Sequence, residues 1–235
     1  MFIPLRDENH LKSIPFQYVT VGLIAANVIV FILEVSGLSN AAVASFAVTP
    51  RELFGNTVLL APSSFGEDSL PIGEQATLLT YMFFHADVFH LVGNMLFLWV
   101  FGDNVEDAMG HTRFLAFYLA CGVFAGLFHA WMLPDSDLPL IGASGAVAGV
   151  IAAYLMLHPR VGVWVLAFKV IPLRITAGLA LGVWIALQVV MVAMPDVGPV
   201  AWWAHIGGLI AGAVLILFMR RPGVPLFDRD VRLAS

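Results

Sequence analysis

The sequence predicts an all-α membrane protein with six transmembrane helices and a long outer loop between helices 1 and 2. Of its 235 residues, 60% are hydrophobic and 11% are charged, and the mean hydropathy is +0.91. A soluble domain normally has about 25% charged residues, so a lipid bilayer is the expected solvent. Unpaired backbone groups are costly in lipid, and the apolar stretches are therefore expected to be helical.

Six apolar stretches approach the length of about 20 helical residues that the hydrocarbon core requires. They are residues 17–35, 83–102, 113–133, 142–158, 173–194 and 201–219. The fourth stretch is short and rich in glycine, so we expect it to lie inside the bundle. These limits divide the chain into an N-terminal segment (1–16), a six-helix membrane domain (17–219) and a short C-terminal tail (220–235).

The basic residues predict the orientation in the membrane. With the N-terminus in the cytoplasm, ten of the eleven Lys and Arg residues lie on the cytoplasmic side and Arg51 alone lies outside. Membrane proteins keep such an excess inside, so both termini are expected in the cytoplasm. We expect no cleavable signal peptide, and a multi-pass protein of the cell membrane, inner or plasma. The connection over about residues 36–75 is then external and long enough to be partly structured.

Several classes of partner are unlikely on composition. The basic residues are spread over helix ends and form no stripe for a nucleic acid. Cys121 is the single cysteine, which excludes an internal disulfide and a cysteine-based metal cluster. The HExxH motif of zinc proteases is absent from the sequence. We therefore expect no metal, no cofactor and no nucleic acid.

Polar side chains inside membrane segments are costly, and each one is a candidate functional residue. The second segment contains His85, His90 and Asn94, the fourth contains Ser144, and the sixth contains His205. Even-numbered segments run from the outside inward in this topology, and these residues lie near the segment starts. They are therefore expected at one depth, a few residues below the outer surface.

This layer contains the groups that an acyl-transfer site needs. The hydroxyl of Ser144 is a weak nucleophile, and His205 is the type of base that activates it. His90 and Asn94 lie one helical turn apart, and together with the backbone N–H of Ser144 they can donate hydrogen bonds to an oxyanion. No acidic residue of the second, fourth or sixth segment is placed to orient His205, which predicts a Ser/His dyad.

Helix packing explains part of the same pattern. Gly142 and Gly145 flank Ser144 in the run GASGA, and small residues let membrane helices approach closely. Gly208 and Gly212 have GxxxG spacing, which would bring the sixth segment against the fourth. Taken alone, the serine is more often a packing residue, whereas the whole polar set at one depth favours a site.

The motifs HADVFHLVGN, GASGA and AHIGG, in this order over six predicted spans, resemble the rhomboid family of intramembrane serine proteases. The stretches IPLRDENHLKSIPFQYVTVGLIAANVIVFILE and VEDAMGHTRFLAFYLACG are similar to bacterial members, so the resemblance covers nearly the whole chain. It implies an endopeptidase that hydrolyses transmembrane protein substrates near their outer ends, in contact with membrane lipids. Ser144 would be the nucleophile, and His205 the general base and then acid.

The resemblance implies roles for four further residues. His90 and Asn94 match the positions that stabilise the oxyanion, with the Ser144 amide as a further donor. His85 matches a histidine regarded as structural at the mouth of the site. Glu106 lies in the family's VE element, where a hydrogen-bonding structural role is expected.

The sequence departs from the family pattern at two places. Ala76 and Thr77 stand where many rhomboids have a Trp-Arg pair, which affects how the outer loop meets the membrane but not the dyad. Ala148 stands where some members have a tyrosine under the catalytic histidine, so another aromatic residue, or a looser histidine, is expected. The family also suggests substrate entry beside the fifth segment, near Trp184 and Gln188.

Two other functions remain open from the sequence. A catalytically inactive rhomboid-like protein would bind membrane helices without cutting them, although both residues of the dyad are present. A haem- or ion-handling membrane protein would use His85, His90 and His205, and an absorption spectrum of the purified protein would distinguish it.

Overall fold

The computed structural model describes residues 2–38, 40–55, 72–167, 170–194 and 200–228. Several features of the predicted topology lie outside the described residues: much of the external connection, Lys169, Asp196 and the end of the C-terminal tail. The described part is mainly helical, as predicted. Its helices are α1 (Tyr18–Gly37), α2 (Asn40–Ala44), α3 (Pro50–Leu53), α4 (Glu74–Thr80), α5 (Val88–Met109), α6 (His111–Met132), α7 (Ser144–Leu157), α8 (Ala177–Val192) and α9 (Trp202–Met219).

Helix α7 forms the centre of the bundle. Helices α1, α5, α6 and α9 are long and apolar enough to cross a membrane, whereas α7 and α8 are shorter, with 14 and 16 residues. Helices α5, α6, α8 and α9 all pack against α7, and α1 packs against α5 and α6. Residues 145–154 of α7 are all buried, in agreement with the predicted internal position of the fourth segment.

The connection between α1 and α5 includes short helices in its described part. Helices α2, α3 and α4 precede a 3-10 turn at Tyr81–Phe83, and Val48 pairs with Leu140 in an isolated β-bridge. Ala76 and Thr77 lie in α4, where the Thr77 hydroxyl donates to the carbonyl oxygen of Glu74 at 2.6 Å. The connection therefore packs against the segment that leads into α7.

Helix α5 begins and ends later than the predicted second segment, which covered residues 83–102. The apolar residues Tyr81–Phe83 form the 3-10 turn, and the carboxylate of Asp87 caps α5 by accepting from the N–H groups of Phe89 and His90. At the other end Glu106 and Asp107 are buried within the helix. Each of these carboxylates accepts several backbone N–H groups, so the helix extends through charged residues.

Three short strands form an antiparallel sheet that was not predicted from the sequence. Strands β1 (Phe2–Asp7), β2 (Gly162–Ala167) and β3 (Ile171–Thr176) lie in the order β1-β2-β3. The predicted fifth segment, 173–194, therefore starts too early, because its first residues belong to β3. Thr176 ends that strand and caps α8 by accepting from the N–H of Leu179 at 3.3 Å.

The described ends of the chain lie at the C-terminal end of α7. The N–H of Asp228 donates to the carbonyl oxygen of Leu157 at 3.1 Å. The hydroxyl of Tyr154 donates to Asp7 at 2.5 Å, which fixes β1 at the same place. Ser144 begins α7, so the predicted nucleophile lies about 21 Å away, at the opposite end of a 14-residue helix.

Candidate active site

Helices α7 and α9 make direct backbone contact beside the predicted dyad. A Cβ atom on Gly208 would overlap the carbonyl oxygen of Gly145, and a Cβ atom on Gly212 would overlap that of Gly149. The two glycines of α9 are four residues apart, and so are their partners on α7. Small residues at this spacing let membrane helices approach closely, and they bring the starts of the two helices together.

Ser144 is the first residue of α7. It is half-buried, whereas its neighbours Ala143 and Gly145 are buried. A Cβ atom on Gly145 would lie 3.5 Å from the carbonyl oxygen of Ala204, so the residue after Ser144 contacts the residue before His205. The first N–H groups of a helix have no partner within the helix, which leaves the Ser144 amide available as a donor.

His205 lies in the first turn of α9 and is 8% exposed. Its Nδ1 atom is 2.7 Å from the side-chain Oε1 of Gln188 on α8. The rings of Trp184 and Trp202 each lie 5.9 Å from the imidazole ring, measured between centroids. The imidazole is therefore held by a glutamine and two tryptophans.

Trp184 supplies the aromatic contact expected because of Ala148. Ala148 is fully buried and forms a small apolar cluster with Ala152 and Leu209, against which Trp184 packs. The indole ring is tilted by 34° to the imidazole of His205. An aromatic residue from α8 thus packs on the histidine in a chain that has alanine one turn after the serine.

His85 and His90 line the approach to α7. Their rings lie 5.1 Å apart in an edge-to-face arrangement, and the N–H of Ala143 lies 3.5 Å from Nε2 of His85. Gly142 has a φ of +119°, and a Cβ atom on it would lie 2.6 Å from Cε1 of His90. Glycine at 142 therefore provides both a left-handed backbone and the space that the His90 ring occupies.

Asn94 lies on α5 one turn after His90 and is 8% exposed. Its Nδ2 atom is buried and has no hydrogen-bond partner among the described residues. Buried donors are nearly always paired in folded proteins. An unpaired amide beside a candidate site therefore suggests that its hydrogen-bond acceptor belongs to a bound molecule.

Asp87 fixes the first turn of α5, on which His90 lies. Its carboxylate accepts from the N–H of Phe89 at 2.7 Å and from that of His90 at 2.9 Å. The hydrogen bond from the backbone of His90 holds the pKa of Asp87 below its usual range, since the bond favours the charged carboxylate. The charged carboxylate of Asp87 therefore helps to fix the backbone of His90.

The structure thus places the predicted site residues at one end of the bundle, at the starts of α5, α7 and α9. The family resemblance placed Gln188 beside substrate entry, and its contact with His205 was not predicted. Gln188 lies near the end of α8, and its side chain contacts His205 in the first turn of α9. The available signal was a polar residue in an apolar segment, but Gln188 lies on the fifth segment, whereas the predicted site residues lie on even-numbered segments.

Comparison with known proteins gives the family. A model described as the Rhomboid domain matches residues 73–222. Human presenilin-associated rhomboid-like protein, mitochondrial, is 30% identical over 206 residues, which cover 83% of this chain and 47% of that protein. RHOMBOID-like protein 12, mitochondrial, of Arabidopsis thaliana is 25% identical over 220 residues, covering 87% of this chain and 59% of that protein. Rhomboid protein 1, mitochondrial, of Saccharomyces cerevisiae is 30% identical over 142 residues, covering 56% of this chain and 38% of that protein.

These relatives correct one expectation. Their names assign them to mitochondria, which contradicts the prediction of an inner or plasma cell membrane with cytoplasmic termini. The chain spans about half the length of the curated relatives it matches, and they do not support the bacterial type in particular. The match to the domain model covers more than half of the chain and includes every predicted site residue. The protein therefore belongs to the rhomboid family.

Proposed function

We propose that the protein is an intramembrane serine endopeptidase that cleaves transmembrane protein substrates with a dyad of Ser144 and His205. The observation that carries the proposal is the backbone contact between α7 and α9. Gly145 packs against Ala204 and Gly208, so the hydroxyl and the imidazole extend from two adjoining helix starts. Membership of the rhomboid family supports the same assignment.

The reaction begins when the Ser144 oxygen attacks the carbonyl carbon of the scissile peptide bond. His205 takes the hydroxyl proton and then gives it to the leaving amine, which produces an acyl-enzyme. The negative charge on the former carbonyl oxygen is stabilised by the Nδ2 amide of Asn94, by His90 and by the backbone N–H of Ser144. The unpaired state of the Asn94 amide supports this role, because the oxyanion supplies the missing acceptor.

Hydrolysis of the acyl-enzyme requires water at the same residue. His205 removes a proton from that water, the oxygen attacks the ester carbon, and the serine leaves with the proton returned to it. Ser144 is half-buried between buried neighbours, which supports an opening at this position. The substrate segment must unwind locally to present an extended peptide bond to the serine.

The membrane domain comprises residues 17–219, in which six helices cross the bilayer, with α7 and α8 as the short crossings. Residues 1–16 and 220–235 are its terminal segments. Hydrogen bonds from Tyr154 to Asp7 and from Arg160 to Asp228 support a common position for the described parts of both, at the face opposite Ser144. Membrane lipids surround the domain, and the substrates are single membrane helices.

The proposal is tested with a transmembrane substrate reconstituted with the purified protein. Ser144→Ala and His205→Ala should each abolish cleavage while leaving the unfolding temperature close to that of the wild type. A fluorophosphonate should label Ser144 in the wild type and fail to label it in His205→Ala. Full cleavage by either variant would exclude the dyad, and binding of the substrate without cleavage by the wild type would indicate an inactive membrane-helix binder.

A further inference from the structure

The side chain of Gln188 contacts the Nδ1 atom of the His205 ring. It lies on α8, is 4% exposed, and its Oε1 atom is 2.7 Å from Nδ1 of His205. The contact joins α8 and α9 through two residues that are 17 positions apart in the sequence. Both side chains are buried, so water does not compete for the hydrogen bond.

The second hydrogen bond of Gln188 fixes which way its amide faces. Nε2 of Gln188 lies 3.0 Å from the carbonyl oxygen of Trp184, one turn earlier on the same helix. A carbonyl oxygen accepts and cannot donate, so the NH2 group must point toward Trp184. The opposite atom of the amide, the acceptor Oε1, therefore faces His205.

This orientation determines the tautomer of the imidazole. An amide oxygen also accepts and cannot donate, so Nδ1 of His205 must carry the proton. In a neutral imidazole one nitrogen is protonated and the other has a free lone pair. Nε2 is then the nitrogen that can accept a proton.

We propose that Gln188 is a positioning residue that holds His205 in the Nδ1–H tautomer and so presents Nε2 as the base. The proposal rests on the proposed function for its catalytic consequence, since the base matters only if Ser144 is the nucleophile. Gln188 occupies the place of the third residue in a triad without supplying a charge. Trp184 anchors the glutamine through its backbone and packs on the imidazole through its ring, so one turn of α8 fixes the histidine in two ways.

A neutral partner behaves differently from a carboxylate. It selects one tautomer and one ring orientation, as the carboxylate of a triad does. It does not compensate the positive charge that His205 acquires when it takes the serine proton. Replacement of Gln188 by leucine removes the acceptor, and replacement by glutamate keeps an acceptor and adds a charge.

The tautomer is tested directly by nitrogen NMR of protein labelled with 15N-histidine in lipid bilayers. The signal of His205 is assigned by its loss in His205→Asn. The wild type should show a protonated Nδ1 and an unprotonated Nε2, and Gln188→Leu should shift this equilibrium toward the other tautomer. Gln75→Leu makes the same chemical change at an exposed position of α4 and should leave the His205 signal unchanged. A wild-type His205 with its proton on Nε2, or an unchanged tautomer in Gln188→Leu, would overturn the proposal.

Activity measurements then test the consequence. Gln188→Leu should lower kcat by about 10- to 100-fold with little change in KM, as expected for loss of a group that orients a reacting residue. Gln188→Glu should still be labelled by the fluorophosphonate, since it keeps an acceptor for Nδ1. Its pH–rate profile should have the acid limb at higher pH, because a carboxylate stabilises the protonated imidazole. Equal kcat and pH profiles in all three proteins would contradict the positioning role. Cleavage retained by Ser144→Ala would exclude the proposed function, whereas the NMR result would stand independently.

Discussion

Gly212 of α9 packs so closely on Gly149 of α7 that a Cβ atom on Gly212 would overlap the Gly149 carbonyl oxygen and lie 2.6 Å from its Cα. The neighbouring atoms are backbone, and they cannot rotate away as a side chain can. The separation of α7 and α9 is therefore fixed by the two main chains. Because Ser144 and His205 extend from these helices, the same contact sets the distance between the two residues.

Gly212→Ala should force α9 away from α7. We expect a loss of about 1–3 kcal/mol in stability, as for other overpacked interfaces, together with at least about a tenfold loss of cleavage. Gly182→Ala on α8 is the matched control, because no described atom lies within 4 Å of the added Cβ. Thermal unfolding in detergent and the cleavage assay measure both effects. Equal stability and equal cleavage activity in the two variants would show that the backbone contact does not determine the geometry of the site.

Gly142→Ala should displace the ring of His90. The added Cβ would lie 2.6 Å from Cε1 of the ring, and the φ of +119° would be strained in any L-residue. We expect kcat to fall by about 10- to 1000-fold, as for loss of an oxyanion donor. Gly223→Ala separates strain from contact, because Gly223 has a φ of +84° and no described atom within 4 Å of an added Cβ. Similar losses of activity in both variants would assign the effect to strain alone.

Asn94→Ala should lower activity without lowering stability. The Nδ2 amide has no partner among the described residues, so its removal breaks no hydrogen bond there, and kcat should fall by about 10- to 1000-fold. Asn104→Ala on the same helix should behave in the opposite way. Nδ2 of Asn104 donates to Asp7, Asn9 and Asp103, so its removal should lower the unfolding temperature and leave the activity of the folded protein intact. A large loss of stability in Asn94→Ala would argue for a structural role.

Asp87 should make the start of α5 sensitive to acid. Backbone N–H bonds, first that of His90, lower its pKa, so the charged cap stabilises the fold above the ordinary aspartate value near 3.8. That stabilisation is lost as the pH falls through the lowered value, when the carboxylate is protonated in the folded state. Asp87→Asn keeps an acceptor but does not titrate. Its unfolding temperature should therefore fall less steeply with acidification than that of the wild type, and parallel curves would exclude Asp87 as a source of the dependence.

The sequence predicted the helical bundle because the apolar stretches are long and their polar residues are few. It placed α5 too early, because hydropathy treats Glu106 and Asp107 as breaks, whereas the backbone N–H groups of other segments satisfy both carboxylates. Strand β1 was missed because it pairs with β2 across 156 or more residues at each position, and pairing at that distance leaves no local pattern. The motifs identified Ser144 and His205 as candidates. Gln188 escaped assignment because its partner depends on how α8 and α9 cross.

Glu106 has a consequence for the order in which the protein is built. Its carboxylate accepts from the backbone N–H groups of Val19 and Thr20 and from the Thr20 hydroxyl, so it caps the first turn of α1 from 86 residues further along the chain. During synthesis α1 emerges long before Glu106 is made. Until Glu106 is in place, the first backbone amides of α1 therefore lack this cap. Its final attachment comes after the helix that carries Glu106 has been inserted beside it.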